Sequence, residues 1–218
     1  MSLLEVRDRY NFDGVPAEDV VRWAVSEFSP GIVLTASMAD AVTIDLVHRV
    51  APDVPVVFLD TGFHFAETHI TLERVARRYP SLDLRIVGPG RSADPLYLTA
   101  DTDACCAANK VAPFDAALTG QQAWITGLRR ADSPLRANTP VVQWDETRSL
   151  VKVNPIATWT DEQVDAYIFE HDVIVNPLMF DGYPSIGCEP CTARVAPGDD
   201  PRSGRWAGSS KTECGLHL

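Results

Sequence analysis

The sequence predicts an α/β fold: a single doubly wound, mainly parallel sheet with helices on both faces and a loop-rich C-terminal tail. Apolar runs of strand length recur at Gly31-Ile-Val-Leu-Thr-Ala36, Pro55-Val-Val-Phe-Leu-Asp60 and Leu82-Asp-Leu-Arg-Ile-Val87, starting 24 and then 27 residues apart. That spacing leaves room for a crossover helix between parallel strands. Helical patterning fills the gaps, and turn formers crowd the end of the chain.

The early helix is expected from about Pro16 to Phe28, because proline is accepted in a first helical turn. Asp40 to Val50 places Val42, Leu46, Val47 and Val50 on one face, and Phe65 to Tyr79 aligns Ile70, Leu72 and Val75. Further strands are expected at Ala123-Trp-Ile-Thr126 and Leu150-Val-Lys-Val153. Thr160-Asp-Glu-Gln163 reads as a capping box opening a helix that ends near Glu170. Asn176-Pro177, Asp181-Gly182, Tyr183-Pro184 and the stretch from Ala196 to Gly208 predict mostly loop.

With 218 residues, 45% hydrophobic and 22% charged, the chain has the composition of an ordinary globular protein. A formal net charge of −11 argues against nucleic acid as a partner. The opening Met-Ser-Leu-Leu-Glu-Val-Arg-Asp-Arg carries charges where a signal peptide needs an apolar run, and no segment approaches the roughly 18 apolar residues of a membrane span. A soluble, cytoplasmic protein with no membrane partner is therefore expected. Five cysteines preclude complete disulfide pairing within the chain, which in a reducing compartment directs attention to metal binding or catalysis.

In open parallel sheets, ligands bind beyond the carboxyl ends of the strands. Thr35-Ala-Ser-Met-Ala-Asp40 follows the first strand and leads into a helix, offering hydroxyls and free N–H groups to a nucleotide, or simply capping that helix. Leu59-Asp60-Thr61-Gly62 closes the second strand with a tight turn, and Arg129-Arg130 follows the strand that ends at Thr126.

The cysteines fall as Cys105-Cys106, then Cys188-Glu-Pro-Cys191, then a lone Cys214. Two pairs separated by 82 residues can supply four thiolates from two loops, which suits zinc or an iron–sulfur cluster. Zinc ligands usually come in pairs separated by two to four residues, so adjacent Cys105 and Cys106 favour a cluster, whose several irons accept neighbouring thiolates. Buried or redox-active thiols are the third reading. Around Cys214, Lys211 and His217 provide the cationic company a reactive thiolate needs, while Glu213 opposes it. Arg194, Arg202, Arg205 and Lys211 gather nearby in an otherwise acidic chain, a grouping that would attract an anion. Lys110 lies four residues past Cys106, where it would offset the charge of a thiolate-ligated cluster.

Cys105-Cys106 with Lys110, Thr126-Gly-Leu-Arg-Arg130, Ser185-Ile-Gly-Cys-Glu-Pro-Cys-Thr192, Gly204-Arg205-Trp206 and Glu213-Cys-Gly-Leu-His217 together resemble the assimilatory adenosine 5'-phosphosulfate reductases, of the iron–sulfur type within the phosphosulfate reductase family. The resemblance runs from about Gly31 to the C-terminus. The tandem cysteines distinguish it from relatives that use the 3'-phosphorylated substrate and commonly lack the cluster cysteines. It implies an adenine-nucleotide alpha hydrolase-like fold and one 4Fe-4S cluster held by Cys105, Cys106, Cys188 and Cys191. It also implies a catalytic Cys214 that attacks the sulfuryl sulfur, expels AMP and becomes an S-sulfocysteine. Lys110, Arg202, Arg205 and His217 would hold the anionic groups, with Arg129 and Arg130 as further substrate contacts. Leu59, Asp60, Thr61 and Gly127 would hold the adenosine, and Asp40 keeps one position of the nucleotide loop. The family's Ser-x-Ser-Gly-Ala-Glu-Asp is otherwise replaced here by Leu34-Thr-Ala-Ser-Met-Ala-Asp40.

With four cysteines assigned to a cluster no resolving thiol remains, so thioredoxin or a similar dithiol protein is the expected reductant. Residues 1–195 are expected to form the nucleotide- and cluster-binding domain and residues 196–218 a mobile tail carrying the nucleophile. The oligomeric state is open, a homo-oligomer included. The competing readings are a reductase for the 3'-phosphorylated substrate, an ATP-pyrophosphatase-like enzyme, whose Ser-Gly-Gly-x-Asp-Ser is absent, and a non-catalytic zinc or redox module.

Overall fold

The computed structural model describes residues 12–89, 101–207, 211, 213, 215 and 216. Its centre is a six-stranded sheet in the order β3-β2-β1-β4-β6-β5, formed by β1 (Ile32–Ala36), β2 (Val56–Leu59), β3 (Leu84–Val87), β4 (Ala123–Thr126), β5 (Val142–Asp145) and β6 (Leu150–Val153). Every pairing is parallel except β5 with β6, where Val142 faces Val153 and Asp145 faces Leu150. The β5–β6 hairpin is too short to permit anything but an antiparallel return.

Side chains alternate across the strands, so the sheet has two buried faces. One carries Ile32, Leu34, Val56, Phe58, Ile125, Val151 and Val153, and is covered by α1 (Ala17–Phe28), α2 (Val42–Val50), α3 (Ala66–Arg78) and α6 (Asp161–His171). The other carries Val33, Val57, Trp124 and Leu150, and meets Phe114 and Leu118 of α5 (Ala112–Leu118) together with Leu216 near the C-terminus. Helices on both faces are thus present, as expected for a doubly wound sheet. The predicted capping box is also present: Thr160 accepts from Gln163 N, and Gln163 Oε1 accepts from Thr160 N.

Between α2, α3 and α6 a carboxylate is fully enclosed. Asp45 accepts from Tyr79 Oη at 2.9 Å, Tyr167 Oη at 2.8 Å and Arg49 Nε at 2.6 Å, which satisfies a charge that burial would otherwise penalise. Both phenols are pushed well above their ordinary range, first by burial and then by Asp45.

One further helical stretch escapes simple periodicity. A short helix α4 (Thr102–Cys106), capped by Asp101 accepting from Asp103 N at 2.8 Å, runs through a π-helical turn (Ala107–Val111) into α5. The added residue in that turn shifts the facing of everything after it, and such turns are frequent at functional sites. No helix among the described residues is long and apolar enough to cross a membrane.

Candidate active site

The carboxyl ends of the parallel strands β2, β1 and β4 lie side by side, and the order in which strands are added to the sheet switches sides between β1 and β4, which is where this architecture leaves a ligand crevice. Asp40 accepts from Val42 N, the first residue of α2, at 2.9 Å; burial pushes its carboxyl up, while that hydrogen bond and Arg129 pull it down. In the same loop Met38, wholly buried, holds a left-handed φ of 61°, a conformation that a non-glycine residue keeps only when its surroundings enforce it. Gly127 stands at the end of β4, where a Cβ would come within 3.1 Å of Thr43 Oγ1 of α2; glycine permits that close approach. At the end of β2, Asp60 accepts from Gly62 N at 2.9 Å, Leu59 O receives the His64 Nε2 proton at 2.9 Å, and Thr61 is buried. Burial holds the His64 imidazole below its usual range.

Next to this crevice the two cysteine pairs meet. Cys105, Cys106, Cys188 and Cys191 line one cavity with Thr61, Lys110 and Arg205, whose empty space is about 390 Å³ including the part open to solvent. Each pair is held by local hydrogen bonds. Cys105 Sγ accepts from Asn109 Nδ2 at 3.5 Å, within the π turn that also carries Lys110. Cys188 and Cys191 close a tight turn in which Cys191 N donates to Cys188 O at 3.0 Å, and Thr192 Oγ1 donates to the same carbonyl at 2.8 Å. That turn is tied to the loop after β2 by Glu189 N donating to Phe63 O at 2.7 Å and by the Thr61 Oγ1 to Cys188 Sγ contact at 3.2 Å. Burial pushes the Cys106 thiol up, against Lys211 and Lys110. The Cys191 thiol rises for the same reason, reinforced by the other three cysteines.

Among the described residues no three His, Cys, Asp or Glu side chains converge on the position of a single metal ion. Cys105, Cys106, Cys188 and Cys191 line one cavity and bring four thiol donors to it from two segments of the chain.

The basic residues divide into two groups. Arg205 reaches Ser185 Oγ at 3.5 Å and Ile186 O at 3.2 Å, with its guanidinium 4.6 Å from the Trp206 ring centre. A Cβ on Gly187 would lie 2.2 Å from that guanidinium, so any side chain there would push Arg205 out of this position. Arg202 also reaches Ser185 Oγ, at 3.4 Å, and pairs with Glu213 at 3.2 Å. Lys211 pairs with Asp103. Arg205 lines the cysteine cavity and Lys211 acts on Cys106, while Arg202 joins this group through Ser185 and Glu213. Arg129 and Arg130 are instead engaged with carboxylates: Arg129 with Asp132 at 3.2 Å and Asp161 at 2.8 Å, Arg130 with Asp13 at 2.7 Å. Cys214 and His217 lie outside the described residues.

Sequence reasoning missed Asn109, Arg136, Arg148 and Lys152. Lys152 on β6 is 3% exposed, with its ammonium 5.0 Å from the Trp124 ring centre. Burial draws it down to about 8; Asp145 and Glu213 oppose this, and Arg136 and Arg148 reinforce it. Between that value and the free-lysine value of about 10.4, the unfolded chain holds a proton that the folded chain has lost, so stability should rise with pH across this window. Lys152→Met is expected to abolish that rise and to stabilise the chain at neutral pH by about 1 to 3 kcal/mol. Urea denaturation at about pH 7 and about pH 9.5 checks this. An unchanged slope in the variant would place the origin of the pH dependence elsewhere.

Residues 31–194 match the phosphoadenosine phosphosulfate reductase domain. A protein named adenosine 5'-phosphosulfate reductase from Mycolicibacterium smegmatis is 48% identical over 211 residues, covering 93% of this chain and 88% of its own. Another of that name from Streptomyces coelicolor is 47% identical over 223 residues, covering 100% of this chain and 94% of its own. Among solved structures, the phosphoadenylyl-sulfate reductase of Candida auris in its phosphate complex superposes with a TM-score of 0.73 at 30% identity, over 84% of this chain and 92% of that one. The FMN adenylyltransferase of Candida glabrata, at 16% identity and a TM-score of 0.59 over 82% of this chain and 63% of that one, shares the fold. With the ligand crevice at the β1/β4 reversal, the fold is that of the adenine-nucleotide alpha hydrolase-like proteins, and the chain belongs to the phosphoadenosine phosphosulfate reductase family.

Proposed function

We propose that the chain is an oxidoreductase of sulfate assimilation that reduces adenosine 5'-phosphosulfate to sulfite and AMP in the cytoplasm, with thioredoxin or a similar dithiol protein as donor. The observation that carries this reading is the meeting of Cys105, Cys106, Cys188 and Cys191 in one cavity with Lys110 and Arg205. The names of the relatives support the substrate.

The four thiols fit one 4Fe-4S cluster, since adjacent cysteines can serve different irons and the donors surround a space. When bound, such a group supplies a compact, thiolate-ligated charge beside Lys110 and ties the Cys105 helix to the Cys188 turn. Every electron of the reaction can come from thiols.

The Cys214 thiolate attacks the sulfuryl sulfur. A sulfur–sulfur bond forms, the bond from sulfur to the phosphate oxygen breaks, and AMP leaves with that electron pair. Lys110, Arg202, Arg205 and His217 hold the negative charge that accumulates on the phosphate and sulfuryl oxygens. Leu59, Asp60, Thr61 and Gly127 hold the adenosine at the ends of β2 and β4; Asp40 orders the loop before α2, and Arg129 and Arg130 complete the basic rim. A donor thiolate then attacks Cys214 Sγ, sulfite departs with the electron pair of the sulfur–sulfur bond, and the second donor thiol resolves the mixed disulfide. The donor dithiol is oxidised and the sulfur gains two electrons. Residues 1–195 form the binding domain in this reading, and residues 196–218 the tail that delivers the nucleophile.

The test is kcat/KM for adenosine 5'-phosphosulfate and for its 3'-phosphorylated relative under one thioredoxin concentration, read as sulfite. The first is expected to exceed the second by about 10² or more, a ratio reachable when one extra charged group is left without a partner. The opposite preference would assign the chain to the 3'-phosphorylated substrate. Activity with neither would remove the catalytic reading.

A further inference from the structure

We infer that Arg136 and Arg148 form a socket that seats the C-terminal segment, and that occupation of this socket governs the sulfuryl-transfer step but not the reductive step. The inference rests on the reaction proposed above. Arg136 grips Glu213 as a fork, with Nε to Oε1 at 2.8 Å and a terminal nitrogen to Oε2 at 3.0 Å, and the two side chains are only 13% and 10% exposed. Arg202 adds a contact to Oε2 at 3.2 Å. Arg148 donates to the carbonyls of Gly215 at 3.2 Å and Leu216 at 3.3 Å, while the Leu216 side chain packs on the second apolar face of the sheet. A Cβ on Gly215 would meet Val111 at 3.1 Å, so this backbone lies against the π turn that carries Lys110. Residues on both sides of position 214 are thereby held to the domain.

The socket does not depend on the tail for its own integrity. Arg136 keeps Asp132 at 3.0 Å, and Arg148 keeps Asp115 at 2.7 Å and Asp145 at 3.0 Å. Departure of the tail therefore strands no buried guanidinium, which would otherwise make opening prohibitively costly. What release of residues 211–216 breaks is one ionic fork, the Arg202 contact, the Lys211–Asp103 pair, two backbone hydrogen bonds and the burial of one leucine. That set is large enough to favour a seated tail and small enough to release it. Both states are needed: a nucleophile must be held close to its target atom, and the product of that step must then be reached by a second protein. Arg136, Arg148 and Glu213 contact the tail rather than any substrate group in this reading, so they are positioning residues.

The experiment compares the wild type with Glu213→Gln and with Arg148→Lys, which keeps its charge against Asp115 and Asp145 but loses the planar fork that spans two carbonyls. Trypsin cleavage after Lys211, whose side chain is 10% exposed, reads seating without any chemistry. It should accelerate by about fivefold or more in both variants, since cleavage follows the population of the open form. Mass-resolved formation of the S-sulfo adduct with adenosine 5'-phosphosulfate and no thiol should slow by about tenfold or more. Sulfite release from preformed adduct by thioredoxin should be unchanged or faster, and iron content and AMP affinity unchanged. Cleavage and adduct formation both within twofold of wild type would overturn the socket, and so would equal slowing of both half-reactions. Failure of the wild type to form any adduct while its cleavage differs from that of the variants would count against the proposed reaction, leaving the seating intact.

Discussion

Cys214→Ser is expected to lower sulfite formation by about 10⁴ or more while leaving AMP affinity within about threefold, the signature of a lost nucleophile rather than lost binding. A serine hydroxyl is far less ionised than a thiol, and the S-sulfo intermediate cannot form on it. The remaining cysteines are poor substitutes. All four line the same cavity, and as ligands of a cluster their thiolates would be committed to iron. Mass spectrometry after incubation with adenosine 5'-phosphosulfate and no donor should find one added SO3 on the peptide containing Cys214 in the wild type, and none on any peptide of the variant. A chain truncated after Ser209 should also lack the adduct, with weaker nucleotide binding because His217 is gone. An adduct that persists in Cys214→Ser, carried by one of the cavity cysteines, would show that the division between four ligands and one nucleophile is wrong.

The parallel strands were legible because buried branched runs such as Ile32-Val-Leu34 and Val56-Val-Phe58 have no competing helical reading at that length. Thr160 and Gln163 announced α6 for an equally local reason, since a capping box is closed within one turn. Strand β5 was not foreseen. Val142-Gln-Trp-Asp145 is an edge strand, half-buried over most of its length, and its position follows from pairing with β6 rather than from its own pattern. The helical stretch from Thr102 to Leu118 was hidden for a different reason: the π turn interrupts the helical period midway and Pro113 sits two residues after its end. The cysteine pairs were visible as spacing alone, and their meeting in one cavity is what the sheet order adds. The Arg136–Glu213 fork spans 77 residues and joins two residue types whose usual place is the solvated surface. No local signal marks such a pair.

Cys191→Ser is expected to strip the chain of its iron. Wild-type protein prepared without oxygen should carry about four irons and about four acid-labile sulfides per chain, and the variant less than about half of each. The expectation follows from how the site is made. Cys105 and Cys106 come from the end of α4 and Cys188 and Cys191 from a turn 82 residues later, so the two pairs reach the cavity on separate elements. A group shared by the four thiols would tie them together, and its binding energy would also be folding energy. The variant should therefore melt several degrees lower than the wild type (about 2 to 4 °C for each kcal/mol lost in a chain of this size), and protease cuts should appear first near the two cysteine pairs. The wild-type chain demetallated with a chelator should reproduce both effects. Stoichiometric zinc with no iron in the anaerobic wild type would overturn the cluster and return the adjacent cysteines to the status of an unexplained feature. Retention of full iron by Cys191→Ser would instead mean that the ligand set includes a group other than these four thiols.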